Sequence, residues 1–164
     1  MKKNGGFSIV ELVIVVAIIG ILIAVGMGSI SYNQRLKAQE CAEKITALIE
    51  ECKLISTSKY ETSLIIQNNG SGEIEAVESI KPSAEESASQ TISIVGDTSV
   101  TISYETTSGG TGNLSEGGSF TINFDRVTGA FDTKNDNIAV IYVEKGGVTK
   151  TITLESKTGK VSIE

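Results

Sequence analysis

Apolar and polar positions along the chain follow three patterns in succession. From Leu12 to Val25 every position is apolar except Gly20, and the run extends from Phe7 to Ile30 with few interruptions. That extended run is about 24 residues, so at ~1.5 Å per residue a helix made from it could cross a ~30 Å hydrocarbon layer. From Ser29 to Ser56 there is no Pro or Gly, and Ala38, Cys41, Ala42, Ile45, Leu48, Ile49, Cys52 and Ile55 recur three and four positions apart. This spacing predicts an amphipathic helix with one apolar stripe. Glu40 and Lys44 stand four apart on its polar side, where Glu43, Glu50, Glu51 and Lys53 also lie. The two stretches read as one helix of roughly 50 residues, apolar all round in its first half and amphipathic in its second.

Beyond Lys59 the period changes to alternation. Strands are predicted at 62–67, 73–80, 91–95, 100–105, 119–125, 138–144, 148–154 and 160–163, punctuated by Asn68-Asn69-Gly70, Gly109-Gly110, Gly117-Gly118, Thr128-Gly129, Gly146-Gly147 and Thr158-Gly159. Gly146-Gly147 is the clearest two-residue hairpin, because type I′ and II′ turns need positive φ. Pro82–Gln90, rich in Ser, Ala and Glu, reads as a solvated loop or short helix. The fold class is therefore α+β, a long N-terminal helix packed against an antiparallel β-sheet or a two-sheet β-sandwich, with one folded core in 164 residues.

Composition narrows the chemistry. There is no His, which removes the commonest general base and the commonest transition-metal ligand. The Gly-rich stretches sit in hairpins rather than ahead of a helix, so no cofactor loop is recognised, and no enzyme activity, catalytic residue, cofactor or metal is expected. The net charge of −6 makes nucleic acid an unexpected partner, since phosphate binding relies on clustered Lys and Arg.

The head of the chain carries the strongest functional signal. Lys2 and Lys3 flank the apolar run on one side and no basic residue follows until Arg35, an asymmetry that places the N-terminus in the cytoplasm. Glu11 lies inside the run, and an ionisable group there marks function because it is costly without a partner. A cut between Gly6 and Phe7 would create an ammonium at Phe7, and a second copy shifted along the helix axis could bring it to Glu11. Such a pair sets register more than it stabilises, whereas removing one member costs about 3–5 kcal/mol.

These residues resemble a family. Gly6-Phe7-Ser8-Ile9-Val10-Glu11, behind a short basic leader and ahead of an apolar run, is similar to the signal of type IV pilins and pseudopilins. The resemblance implies that a membrane-embedded aspartic peptidase, the prepilin peptidase, cuts after Gly6, that Phe7 is N-methylated, and that Glu11 is the family's assembly glutamate. Many members carry a Pro near the outer end of the run; here Gly26-Met27-Gly28 stands instead, and two glycines weaken a helix by about 1 kcal/mol each relative to Ala. The expected organisation is a leader peptide at 1–6, a transmembrane and filament-core helix at 7–30, its amphipathic half at 31–58 and a β-rich globular domain at 59–164.

Ser119–Asp125 with Thr128-Gly129, the following hairpin and Lys157–Ile163 resemble the C-terminal domain of H-type minor pseudopilins and related minor pilins, whose helix packs on a two-sheet sandwich. Some of these relatives bind DNA through basic C-terminal residues; only Lys157 and Lys160 stand near the end here. The expected function is a structural subunit of a type IV pilus-like or type II secretion-like filament. It would be a single-pass protein of the inner or cytoplasmic membrane, and then part of an extracellular filament or periplasmic pseudopilus. Its partners would be prepilin peptidase, other pilin subunits, the assembly machinery and, before assembly, the membrane. A minor tip or competence subunit that binds a ligand such as DNA is the alternative within the family. An ordinary secreted protein, with Lys2 and Lys3 as n-region and Ala24-Val25-Gly26 as cleavage site, or a single-span anchored β domain, is the alternative outside it.

Two smaller features complete the reading. Cys41 and Cys52, eleven residues apart on one helix, are separated by about 16 Å along the axis and out of disulfide reach, so they read as buried thiols, with an inter-subunit bridge as the other reading. Asp132–Asn137 has the look of a calcium loop, but Lys134 stands where a ligand would be placed, and the segment reads as turn chemistry.

Overall fold

The computed structural model describes residues 8–82, 87–132, 137–156 and 158–164, and the backbone alone at 25–31. Its first element, α1, runs unbroken over 48 residues from Ile9 to Ser56. Ser8 caps it from an extended backbone, its Oγ accepting from the Val10 N–H at 3.3 Å. The helical backbone passes straight through Gly26 and Gly28, where the sequence predicts loosening. The local cost of two glycines is offset by cooperative propagation from the long flanks. Thr57 closes the helix, and Lys59 at φ +70° turns the chain away.

Nine strands follow: β1 (Glu61–Asn68), β2 (Glu73–Lys81), β3 (Ser89–Asp97), β4 (Thr101–Thr106), β5 (Thr111–Asn113), β6 (Ser119–Asn123), β7 (Ile138–Lys145), β8 (Val148–Glu155) and β9 (Lys160–Ile163). They form two antiparallel sheets, a four-stranded one in the order β3-β2-β1-β6 and a five-stranded one in the order β5-β4-β7-β8-β9. Three strands differ from expectation by more than a single residue at an end. β5 is a strand the alternation does not announce, a Thr-Gly-Asn stretch that pairs with β4 and has Tyr104 lying over Gly112. β3 is longer than 91–95 and takes Ser89 and Gln90 from the predicted loop. β6 stops at Asn123, and Phe124 makes an isolated bridge to Phe131 instead.

The second half of α1 lies against both sheets, touching β1, β2 and β3 of one and β7, β8 and β9 of the other. Its stripe of Ala38, Cys41, Ala42, Ile45, Ile49 and Cys52 is buried, and from Cys41 onward it meets Leu64, Ile66, Ile122, Ile102, Ile141, Val143 and Ile152 in one apolar cluster. Among the inward positions of β2, between Ala76 and Ile80, stands Glu78, 5% exposed, its Oε1 accepting from the Cys52 thiol at 3.4 Å.

Turns fasten the helix at both ends of this contact. The β7–β8 hairpin turns through Gly146 and Gly147 at φ +59° and +77°, the positive values of a type I′ turn. A Cβ on Gly146 would fall on the Gln34 side chain, so the hairpin tip and the helix meet at the first docked turn. At the far end two loops repeat one design, an acid followed three residues later by Thr-Gly. Gly129 N–H donates to the Asp125 carbonyl and Gly159 N–H to the Glu155 carbonyl, both at 2.8 Å. Thr128 Oγ1 donates to Asp125 Oδ1, and Thr158 Oγ1 to Glu155 Oε2. Gly129 lies against Thr57 and the Lys53 carbonyl, while Lys53 Nζ donates to the Gly159 carbonyl at 2.7 Å, so both loops grip the last turn of α1.

Candidate assembly site

Among the described residues, the first half of α1 has no side-chain partner from the rest of its chain. Every large apolar side chain from Ile9 to Ile23 is exposed, Ile9 at 81% and Ile21 and Leu22 at 65%. Fully burying such a side chain gains about 1.5–3 kcal/mol, so the surface calls for lipid or protein around it. Glu11 stands in the first turn of this half and is exposed with its neighbours. A carboxylate there interacts favourably with the positive end of the helix dipole.

Ser8 and Glu11 also stand at the spacing of a capping box, S-x-x-E, and the serine accepts from the second helical N–H, that of Val10. Ser8 thus positions the start of the helix, a role that the motif alone does not assign to it although its type and spacing are visible in the sequence. Gly6 and Phe7, the expected processing residues, lie outside the described residues, as do Lys157 and residues 133–136 of the Asp132–Asn137 segment. The ends of that segment are accounted for. Asn137 is buried, its Nδ2 donating to the Asn123 and Asp132 carbonyls at 2.9 Å and its Oδ1 accepting from the Ile138 and Asn123 N–H groups. That amide pins the β6–β7 crossover and has its capacity used by backbone.

Among the described residues no three Cys, Asp or Glu side chains gather as a metal cage. The two cysteines are unpaired and buried, as their helical spacing predicts. Burial pushes the Cys41 thiol up to about 12, with Lys44 pulling the other way and Asp97 and Glu40 adding to the rise. The Cys52 thiol is raised chiefly by burial and then by Glu78. Both stay neutral and weakly nucleophilic. On the rim of the helix Lys37 bridges to Asp97 at the end of β3 at 2.7 Å, and hydrogen bonds from Lys37 and Ser99 hold that carboxyl down at about 2.

Residues 1–27 match the prokaryotic N-terminal methylation motif, the prepilin-type signal of type IV pilins and pseudopilins. No curated protein and no solved structure matches the chain. The motif points to a family of structural proteins rather than enzymes, and a signal of this type implies membrane insertion followed by a pilus or pseudopilus. Among the described residues no helix is long and apolar enough to cross a membrane.

Proposed function

We propose that the chain is a filament subunit, cut after Gly6 by a prepilin peptidase, methylated at Phe7, held in the membrane as a single span and then packed by its first helical half among copies of itself. The observation that carries this reading is the unpartnered apolar surface of α1 from Ile9 to Ile23, with one acid, Glu11, near its capped start. Lipid can cover that surface before assembly and neighbouring helices can cover it afterwards, but in both settings an ionised Glu11 needs a counter-charge. The amine exposed at Phe7 of a neighbouring copy supplies one only once copies are in register. Residues 1–6 are then a leader, 7–30 the span and filament core, 31–58 the docked half of the helix and 59–164 the globular domain. Counted over 7–30, and so including residues beyond those described in full, the span is about 24 residues, enough for a ~30 Å hydrocarbon layer.

Mass spectrometry of the native protein tests the processing. The expected N-terminus is Phe7 carrying one added methyl group; a chain beginning at Met1 or beyond Ala24 would end the reading. Glu11→Ala tests the assembly. This variant should be processed and accumulate in the membrane as wild type does, yet be at least tenfold depleted from filaments sheared off the cells.

A further inference from the structure

The start of α1 is set by one side chain. In an α-helix each N–H donates to the carbonyl four residues back, so a helix continued upstream of Ser8 would send the Val10 N–H to the Gly6 carbonyl. Ser8 intervenes. Its backbone is extended, at φ −71° and ψ 146°, and its Oγ accepts the Val10 N–H at 3.3 Å, the donor that the Gly6 carbonyl would otherwise claim. The carbonyl of Ser8 accepts the first ladder bond, from the Leu12 N–H at 3.1 Å, as that of an N-cap residue does.

Glycines alone do not stop this helix. Gly20, Gly26 and Gly28 all lie inside α1 without breaking it, so Gly5 and Gly6 are by themselves a weak barrier to its growth. In an apolar setting an N–H without a partner is costly, and with the Ser8 hydroxyl removed the Gly6 carbonyl is the next acceptor that helical geometry offers to Val10. The choice between these two acceptors decides whether the ladder stops at Ser8 or runs on to the bond between Gly6 and Phe7.

We propose that Ser8 is a positioning residue for the cleavage of its own chain: by taking the Val10 N–H it keeps the Gly6 carbonyl out of the helical ladder and open to attack. This rests on the processing reading above. Hydrolysis adds the oxygen of a water molecule to the Gly6 carbonyl carbon and breaks its bond to the Phe7 nitrogen. The leader departs with a carboxylate, and the Phe7 nitrogen takes the proton and becomes the new amine. Negative charge develops on the carbonyl oxygen during addition and must be met by donors of the peptidase. A carbonyl engaged by a ladder N–H and screened by its own helical turn offers them poor access, whereas one left upstream of a cap offers it freely.

The test compares Ser8→Ala with Ser8→Asn and Ser8→Thr in the full chain, since Asn and Thr cap a helix and Ala does not. The buried cluster begins at Cys41, so none of the three should disturb the globular domain. Each chain is incubated in detergent micelles with a purified prepilin peptidase, and mass spectrometry follows release of the leader to give kcat/KM. Ser8→Ala should be cut about fivefold more slowly than wild type, the factor that loss of a cap implies, while Ser8→Asn and Ser8→Thr should stay within about twofold of it. Cleavage of Ser8→Ala at the wild-type rate or faster overturns the proposal. So does slow cleavage of either capping variant, which would mean that the peptidase reads residue 8 itself. Isotope labelling supplies a readout independent of the enzyme. Gly6-Phe7 is the only Gly-Phe pair in the sequence, so labelled Gly carbonyls combined with labelled Phe nitrogens isolate this one bond in an NMR spectrum. Its carbonyl shift should enter the helical range in Ser8→Ala and stay outside it in wild type and both capping variants; one shift shared by all four chains overturns the proposal. A wild-type chain that is not cut between Gly6 and Phe7 removes the processing reading as well.

Discussion

Glu78 is the residue whose behaviour departs furthest from its type. It is buried on the inner face of β2 with a thiol rather than a cation beside it, and burial raises its carboxyl above the usual range, the Cys52 hydrogen bond opposing and the Glu51 charge adding to the rise. The sign of the pH dependence follows directly. The folded chain keeps this proton at pH values where the unfolded chain has released it, so the stabilisation is complete below the ordinary carboxylate pKa of about 4.3. It is lost as pH rises through the higher folded value. Urea melts of the globular part across that range should therefore show Glu78→Gln flattening a decline seen in wild type, with the variant the more stable of the two at neutral pH. A parallel decline in both proteins would dismiss this account. By residue type nothing distinguishes Glu78 from Glu75, three residues away on the opposite face of the same strand and held by Gln67 and Asn69. Which parity of β2 faces the helix is settled by Ile74 and Ala76, and an acid on that parity is a local exception that tertiary packing imposes. Glu11, in contrast, was legible because an acid inside an apolar run stands out with no knowledge of packing.

Among the elements, the β7–β8 hairpin offers the sharpest comparison. Both of its glycines have positive φ, so Gly147→Ala should cost about 1–2 kcal/mol for the left-handed backbone alone. Gly146→Ala bears that cost and also drives a methyl group into Gln34, adding about 1–3 kcal/mol of overpacking. Shortening Gln34 to Ala should recover most of the excess in Gly146→Ala and none of the loss in Gly147→Ala. Denaturant midpoints of the four variants measure this, and a Gln34→Ala effect that is the same in both backgrounds would mean the tip and the helix do not communicate. The hairpin itself was readable from Gly-Gly between two alternating runs, and α1 from its stripe. The unannounced β5 and the early stop of β6 were not, because Thr111–Asn113 has no alternation of its own and Phe124 is drawn out of the ladder by Phe131. The Thr-Gly turns were visible as turns, but their hold on the last helical turn depends on contacts more than fifty residues apart in the chain, such as Lys53 with Gly159.

For the whole molecule, the buried cluster begins at Cys41 and, among the described residues, draws nothing from the first half of the helix. A fragment of residues 32–164 should accordingly melt in one cooperative step and sediment as a monomer at concentrations where the full chain requires detergent. Sedimentation velocity and thermal denaturation check both points, and a fragment that melts without cooperativity would mean the first half supports the fold. The fold class was legible at this scale because the change of period near Lys59 divides the chain, but the split of the strands into two sheets was left open, since strand order depends on crossovers that alternation cannot report. The helix is fastened from Gln34, under the hairpin, to Thr57, under the two acid and Thr-Gly loops. A tug on the first half along its own axis is therefore shared by the whole docked length at once, as a dowel glued in its socket resists withdrawal. In a fibre under tension the globular domains would stay threaded on their rods, and the joints between rods would slip first.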